Sequence, residues 1–360
     1  MGRKPDTSRG FSPRLAMGKD TTLPAVECLR LDGRLESAIL SPAIHQLVLS
    51  IARLRNVVSS LKIEGQAIEL PQARAVLETG VPRGPEEVQV LAMSRAYGEV
   101  HASEKAPKLT LAYFREVHRR LFPDGAGLDA GMPGRFKEVP NGVFSVTRQR
   151  WIFEATPPER TEAELTALLE WLHRESPRYP PAVAGALFFA EFQAVHPFED
   201  GNGRVGRFLN LAVLRSLGHR NVALVPLDGR FFRTRDSYYD ALGTTNTGKD
   251  YGIWARYFTK QLRRAYEIAV GRADLRPSLE RFSRPSTRSL MEWCLQGEAA
   301  WFGRSDFPNP RGYSGPAVTA SLRELAAAGV LEARGERRGR RYRLSTEFLR
   351  KVYGRDLTTE

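Results

Sequence analysis

Hydrophobic side chains recur every three to four residues along most of the chain, which is roughly the spacing of one face of an α-helix. The pattern starts at Leu35 and continues to Val58, where it predicts one amphipathic helix or a broken helix pair. Glycine and proline separate the later patterns and mark their ends. These further predicted helices cover Pro71 to Leu77, Glu86 to Val100, Thr110 to Leu121, Thr161 to His173, Val183 to Val195 and Val205 to Leu217.

Two regions depart from the helical spacing. Between Gly134 and Phe153, apolar residues alternate with polar and turn residues, which predicts a short β-hairpin. From Ser278 onward, the pattern predicts a helix at 287–295, a second helix at 316–328 and a hairpin at 329–344, an order that resembles a winged helix. A domain boundary is therefore expected between residues 272 and 284.

Residues 1–22 mix glycine, proline, serine and basic residues without a hydrophobic period, which predicts a mobile basic tail. The start of the chain is charged and no apolar run of membrane-spanning length follows, so we predict a cytoplasmic protein without a signal peptide or a transmembrane helix. Cys28 and Cys294 are the only cysteines, which excludes a disulfide framework and a cysteine-rich zinc site. The net charge of +13 favours partners that carry phosphate or another anion.

The segment from His196 to Arg207 reads His-Pro-Phe-Glu-Asp-Gly-Asn-Gly-Arg-Val-Gly-Arg and separates two predicted helices. Gly201 and Gly203 permit positive φ angles, which turn successive backbone NH groups toward a single anion. The N-terminus of the following helix adds a partial positive charge, and Arg204 lies three residues before Arg207 on that helix. Together these features predict a cradle for a polyphosphate.

Asp200 offers a hard oxygen ligand beside this cradle, which suits Mg²⁺ bridging phosphate oxygens. His196 stands at the entrance, and an imidazole of near-neutral pKa can take the proton from an attacking hydroxyl. Each feature alone has a commoner explanation, namely a packed histidine, turn-forming glycines and solvent-facing arginines. Their combination in one segment predicts the transfer of part of a nucleoside triphosphate onto a hydroxyl group.

The same segment matches the signature His-Pro-Phe-x-Asp-Gly-Asn-Gly-Arg-x-x-Arg at every specified position, and the chain therefore resembles Fic-domain proteins. The resemblance implies a mainly α fold, with a Fic helical core, a short β-hairpin flap and here an appended C-terminal winged helix. It implies adenylylation, the transfer of AMP from ATP to a Ser, Thr or Tyr hydroxyl of a target protein. The resemblance implies that His196 is the base and Asp200 the Mg²⁺ ligand. It implies further that Asn202 orients the α-phosphate, that Gly201 and Gly203 form the anion hole, and that Arg204 and Arg207 hold the outer phosphates of the nucleotide.

Two further segments carry the resemblance. Gly134-Arg135-Phe136-Lys137 and the residues up to Phe144 are similar to the family's flap, which pairs with the target's backbone, although Lys137 stands where arginine is commoner. Tyr238 and Tyr239 are similar to a tyrosine pair that closes the nucleotide pocket. Packing of one of these two rings in a helical core is the alternative.

Ser60-Leu61-Lys62-Ile63-Glu64-Gly65 resembles the family's inhibitory pattern, a Ser or Thr, three residues, Glu, then Gly or Asn. The resemblance implies that Glu64 pairs with Arg207 and fills the space of the γ-phosphate. The alternative is a helix that ends at Glu64 with Gly65 as its C-cap, and both interpretations can hold together. Some relatives use this glutamate to remove AMP from modified targets, so de-AMPylation stays open.

The predicted organisation is a flexible basic tail at 1–22, an N-terminal helical region with the inhibitory motif at 23–125, a Fic catalytic core at 126–272 and a winged helix at 278–355. The basic tip at residues 335–339 leaves two interpretations of the winged helix, contact with DNA or docking of a protein. The rival function is a DNA-binding regulator whose Fic core senses nucleotide, against which the intact His196 favours an enzyme. Dimers occur among similar proteins, so the resemblance leaves a homodimer open, and the sequence does not specify the oligomeric state.

Overall fold

The computed structural model describes residues 2–38, 42–102, 105–145, 150–246, 248, 250–273, 282–296, 301–309, 311–336 and 339–348. Helices dominate these ranges, which confirms the mainly α fold class. They are α1 (Lys19–Ala38), α2 (Pro42–Ile63), α3 (Leu70–Thr79), α4 (Pro85–Ala102), α5 (Leu111–Leu121), α6 (Pro158–Arg174), α7 (Pro181–Val195), α8 (Asn202–Ser216), α9 (Leu227–Arg233), α10 (Arg235–Gly243), α11 (Gly252–Ala273), α12 (Pro285–Gln296) and α13 (Gly315–Ala327).

The strands described form two small sheets. Strands β1 (Gly2–Arg3), β2 (Gly142–Ser145) and β3 (Arg150–Glu154) make one sheet in the order β1-β3-β2. β2 and β3 are antiparallel, as the predicted hairpin requires, whereas β1 pairs with β3 in parallel. Strands β4 (Leu331–Arg334) and β5 (Arg341–Leu344) form a second antiparallel hairpin.

Helix α7 is the centre of the core. It is apolar on all sides, and such a helix must be covered on every face. Helices α6, α8 and α11 pack around it. The indole of Trp254 on α11 stacks on Phe189 with ring centroids 5.5 Å apart and donates a 2.7 Å hydrogen bond to the Ala186 carbonyl. The loop between α7 and α8, which contains residues 196–201, is therefore held between two packed helices.

The mobile tail predicted for residues 1–22 differs from what the structure contains. The ammonium of Lys4 is buried and lies 2.7 Å from carboxylate oxygens of both Glu164 on α6 and Glu191 on α7. Phe11 packs edge-on against Trp171 at 5.1 Å, and α1 already begins at residue 19. Two buried carboxylates require a nearby cation. Glu164 and Glu191 are remote from Lys4 in the sequence, so the pattern of residues 1–22 alone does not reveal this contact.

The C-terminal unit has the predicted order of helix, helix and hairpin, while its assignment as a winged helix stays a prediction. Its helix α12 packs against α2. Arg74 on α3 donates a 3.1 Å hydrogen bond to the Trp293 carbonyl and lies over the indole ring at 5.6 Å. The expected boundary falls largely in residues 274–281, and the basic tip includes Arg337 and Arg338, all of which lie outside the described residues.

None of the helices that the structure describes combines the length and the apolar character needed to cross a bilayer.

Candidate active site

The loop between α7 and α8 turns through two left-handed residues. His196 caps α7 with φ of 51°, and Gly201 precedes α8 with φ of 77°. Gly203 lies in the first turn of α8 and does not have the positive φ that the sequence analysis expected. A Cβ at Gly203 would come within 2.3 Å of Oε1 of Glu64. The glycine therefore permits the close approach of a carboxylate to the helix N-terminus.

His196 is arranged as a proton acceptor. Its Nδ1 lies 3.1 Å from the Gln193 carbonyl, and a carbonyl oxygen only accepts, so Nδ1 carries the proton and Nε2 keeps its lone pair. Burial lowers the pKa of His196 to about 4, and the hydrogen bond to Gln193 offsets this only in part. The ring is consequently neutral at physiological pH.

Glu64 and Arg207 form an ion pair at the head of α8. Oε1 of Glu64 lies 2.8 Å from Nη2 of Arg207, which is buried. Arg207 also donates to the hydroxyl of Ser60 at 2.8 Å and to its carbonyl at 3.0 Å. Burial lowers the pKa of the guanidinium, but the Glu64 carboxylate more than compensates and raises that pKa above its usual value. Three acceptors thus fix Arg207 beside Gly203.

The turn at the C-terminal end of α2 places Glu64 beside Arg207. The helix ends at Ile63, Gly65 takes φ of 86°, and the Gln66 NH donates to the Leu61 carbonyl at 3.1 Å. The glycine terminates the helix as one interpretation expected, and Glu64 reaches Arg207 as the other implied. Both interpretations describe the same turn.

The guanidinium of Arg204 is hydrogen-bonded to other groups of the protein. It donates to Gln89 Oε1 at 3.0 Å and to the Gly127 carbonyl at 2.8 Å, and it lies 3.3 Å from Oδ2 of Asp200. It also stacks over the ring of Phe122 at 4.5 Å. Arg204 and Arg207 are thus both bonded within the protein, and the role of either as a holder of outer phosphates stays a prediction.

Asp200 lies at the outer side of the loop, and its side chain is about a quarter exposed. Its Oδ2 accepts from the Asp129 NH at 3.0 Å. Among the residues that the structure describes, no group of three or more His, Cys, Asp and Glu side chains could hold a metal by itself. A single carboxylate together with phosphate oxygens and water is, however, a common environment for Mg²⁺.

Asn202 supports the loop rather than facing an open cradle. Its Oδ1 accepts from the Phe198 NH at 2.8 Å, and its Nδ2 donates to the Phe198 carbonyl at 2.7 Å. The side chain is buried, with both polar ends bonded. Its amide fixes the turn that carries His196, and the role in orienting the α-phosphate that the resemblance implies stays a prediction.

The two tyrosines have different surroundings. Tyr238 is buried against Phe231, at a centroid distance of 5.0 Å, and against Trp254. Tyr239 is exposed, and its hydroxyl donates to the Ile63 carbonyl at 3.2 Å, next to Glu64. Core packing thus describes the ring of Tyr238. Burial raises the pKa of its hydroxyl and the neighbouring Arg207 lowers it, so Tyr238 as well as Tyr239 borders the ion pair of the site.

Lys137 and Asn141 connect the segment that leads into the hairpin with the loop after α7. Nζ of Lys137 is buried and donates to the Val195 carbonyl at 2.9 Å and to Oδ1 of Asn141 at 2.7 Å. Burial lowers the pKa of Lys137 to about 7. Nδ2 of Asn141 in turn donates to the Phe198 carbonyl at 2.7 Å. Lys137 therefore anchors the base of the hairpin to the end of α7, and it does not extend toward a partner.

Sequence reasoning missed His118, which lies on α5. Its Nε2 is 3.1 Å from the Asp200 carbonyl, and its Nδ1 accepts a 2.9 Å hydrogen bond from the Gly134 NH. Gly134, with φ of 77°, begins the predicted flap. A histidine on the apolar face of a predicted helix was the available signal, but it does not reveal partners distant in sequence.

Comparison with known proteins locates a family match over this site. Residues 108–214 match the model of the Fic/DOC family. The chain is 27% identical over 235 residues to the protein adenylyltransferase Fic of Nematostella vectensis, covering 63% of this chain and 51% of that protein. It is 29% identical over 223 residues to the protein adenylyltransferase fic-1 of Caenorhabditis elegans, covering 59% of this chain and 40% of that protein. The chain thus spans about half or less of the length of these relatives.

Solved structures show the same fold. A Fic family protein from Desulfovibrio desulfuricans G20 superposes with a TM-score of 0.61 at 22% identity, over 93% of this chain and 98% of that chain. Residues 134–508 of Fic-1 from C. elegans give a TM-score of 0.54 at 22% identity, over 71% of this chain and 73% of that chain.

Proposed function

We propose, from the premise that residues 108–214 form a Fic domain, that the protein transfers AMP from ATP to a Ser, Thr or Tyr hydroxyl of a target protein. The observation that carries the proposal is the Glu64 carboxylate, which lies against Gly203 and 2.8 Å from Arg207 at the N-terminus of α8. The chain places its own anion where a helix terminus and an arginine favour phosphate. An acceptor for protons, His196, stands at the other end of the same loop.

The chemistry assigns one role to each group. Nε2 of His196 takes the proton of the acceptor hydroxyl, whose oxygen then bonds to the α-phosphorus while the bond to pyrophosphate breaks. Arg207 and the backbone NH groups at the start of α8 stabilise the negative charge on the phosphates. The AMP remains on the acceptor oxygen and pyrophosphate leaves.

Asp200 is the residue that would hold Mg²⁺, because its carboxylate is partly exposed and borders the cradle. The ion would neutralise charge on the phosphate oxygens. A requirement for the ion belongs to the proposal, together with ATP as the donor.

The ion pair of Glu64 with Arg207 supports autoinhibition. A carboxylate bonded to Arg207 competes with a phosphate for the same donor and repels an incoming anion. Displacing Glu64 would leave Arg207 free to bind the γ-phosphate. Removal of AMP from modified targets, through a water activated by the same glutamate, is included in the proposal as a second activity of this site.

Incubation of wild type, Glu64→Gly and His196→Ala with α-³²P-ATP and Mg²⁺, followed by gel autoradiography, tests the proposal. Label on Glu64→Gly that exceeds the wild-type signal by about tenfold or more is expected, since one charge-assisted hydrogen bond is worth roughly that factor. His196→Ala, in either background, should carry no label. Glu69→Gly is the control, because Glu69 is an exposed glutamate that pairs with Lys62. The label on this variant should equal the label on the wild type.

The rival function, a DNA-binding regulator, depends on the basic tip of the C-terminal hairpin, where Arg337 and Arg338 lie outside the described residues. Arg341 pairs with Asp306 at 2.8 Å and Arg343 pairs with Glu332 at 2.5 Å, so acids of the same unit neutralise these two hairpin arginines. Binding to duplex DNA should weaken steeply as salt rises, whereas docking of a protein on an apolar surface should change little. A salt titration of duplex binding therefore separates the two interpretations. The cytoplasmic location and the homodimer stay predictions.

A further inference from the structure

His118 connects two segments that the proposed reaction needs in fixed relative positions. Its imidazole lies between the carbonyl of Asp200, 3.1 Å from Nε2, and the NH of Gly134, 2.9 Å from Nδ1. The first contact is in the loop that carries the candidate metal ligand. The second is at the first residue of the predicted flap. The ring thus spans the loop and the flap from a third element, α5.

The two contacts specify the state of the ring. A backbone NH needs an acceptor at Nδ1, and a carbonyl needs a donor at Nε2, so the ring is neutral with its proton on Nε2. The side chain is only 2% exposed, which leaves no solvent to replace either partner. Both nitrogens therefore have a defined bonding role.

Stacking fixes the plane of the ring. Phe198, in the same loop as His196, lies parallel to it at a centroid distance of 4.0 Å, and Phe122 lies on another side at 4.8 Å. A hydrophobic residue could fill the same space, but it would leave the Gly134 NH and the Asp200 carbonyl without this partner. Packing alone does not account for the two polar contacts.

We propose that His118 is a positioning residue that holds the phosphate loop at Asp200 and the flap at Gly134 in one fixed register. The inference rests on the proposed function, because it assigns the two segments to nucleotide and to acceptor. The Asp200 contact keeps the start of α8 in place to receive phosphate. The Gly134 contact keeps the flap in place to present the acceptor hydroxyl to His196.

Substitutions in the Glu64→Gly background separate the two contacts. In His118→Gln, the amide nitrogen replaces Nε2 and retains the Asp200 contact. In His118→Asn, the amide oxygen replaces Nδ1 and retains the Gly134 contact. His118→Phe preserves the stacking and removes both. His173→Phe, at an exposed histidine on α6, is the matched control.

Two readouts are needed: the Kd for α-³²P-ATP by equilibrium dialysis, and the rate of auto-adenylylation at saturating ATP. We expect His118→Gln to keep the Kd within about twofold and to lower the rate by about tenfold, the loss of one buried hydrogen bond. We expect His118→Asn to raise the Kd by about tenfold, and His118→Phe to show both changes. His173→Phe should match the parent in both readouts.

A Kd and a rate equal to those of the Glu64→Gly parent, in both His118→Gln and His118→Asn, would overturn the inference. So would equal losses of both readouts in all three variants, which would make His118 a packing residue only. If the Glu64→Gly parent binds ATP but carries no label, the proposed function fails, while the dialysis series still decides whether His118 holds the loop.

Discussion

At the scale of single residues, His196 has a strained backbone conformation and an imidazole that is oriented to accept a proton. A non-glycine residue at φ of 51° is strained, and its NH is held by a 3.0 Å hydrogen bond to the Phe192 carbonyl. In this left-handed conformation Nδ1 lies 3.1 Å from the Gln193 carbonyl, and that contact selects the tautomer with a free Nε2. Strain at this position therefore serves the orientation of the base.

The lowered pKa of His196 gives a pH prediction. A base with a pKa of about 4 is unprotonated throughout the neutral range, so the rate of label transfer by Glu64→Gly should be constant between about pH 6 and 8. As pH falls through about 4, protonation of Nε2 removes the acceptor and the rate should fall. Initial rates across a buffer series, with circular dichroism as a control for folding, measure this. A midpoint near 6.5 would contradict the assigned environment.

Residue identities were easier to predict than residue partners. The segment from His196 to Arg207 and the inhibitory pattern identified Glu64 and Arg207, whose pairing is present in the structure. The bonds of Arg204 to Gln89 and of Asn202 to the Phe198 backbone were not predicted. Such bonds depend on which elements meet in three dimensions, and a motif in one segment contains no information about them.

At the scale of elements, α2 packs on the core and leads directly to Glu64, the proposed inhibitory residue. Asn56 fixes the helix by donating to the Val225 carbonyl at 3.0 Å and accepting from the Asp228 NH at 3.1 Å. The hydroxyl of Tyr239 holds its C-terminal end through Ile63. The position of Glu64 is thus set by contacts with α9 and α10.

Tyr239→Phe in otherwise wild-type protein should weaken inhibition. The substitution keeps the ring but removes the hydrogen bond to Ile63. Basal auto-adenylylation should therefore rise by about two- to tenfold, which is the range expected for the loss of one hydrogen bond that is partly exposed to solvent. Quantitative autoradiography measures the change. Tyr313→Phe, in the C-terminal unit, is a control for the loss of a hydroxyl. An unchanged basal rate would show that the Tyr239 hydroxyl does not hold α2.

Most predicted helices correspond to observed ones, because an apolar stripe of helical period must face a core wherever the fold places it. Helices α9, α10 and α11 were not among the predicted helices. Neither was most of α1, since no helical pattern was predicted before Leu35. Helix α1 contains Pro24 and exposed apolar residues, and the face that it buries includes the small side chains of Ala25 and Cys28, so the buried stripe is hard to recognise in the sequence. Its packing against α11 decides its structure, and that contact is not visible in the local pattern.

At the scale of the whole molecule, the N-terminal segment joins the flap to the core. β1 extends the hairpin sheet at β3, and Lys4, directly after β1, binds Glu164 and Glu191. Thr7 adds a 2.7 Å hydrogen bond to Glu191. The first residues of the chain therefore contribute to the surroundings of the site.

Lys4→Ala should destabilise the protein strongly. The substitution leaves two buried carboxylates without their shared cation, and breaking a buried ion pair costs about 3–5 kcal/mol of unfolding free energy. Urea denaturation followed by tryptophan fluorescence measures the loss, with Arg9→Ala as the exposed control. Adding Glu164→Gln and Glu191→Gln should restore part of the stability. A loss below about 1 kcal/mol would mean that water reaches the two carboxylates.

The length of α2 has a mechanical consequence. Its 22 residues extend about 33 Å, and Glu64 lies about 12 Å beyond the pivot that Asn56 provides. A tilt of about 5° around that pivot displaces the carboxylate by about 1 Å, which stretches a 2.8 Å contact beyond hydrogen-bonding distance. Helix α12 packs against the same helix, so the C-terminal unit contacts the element that leads to Glu64.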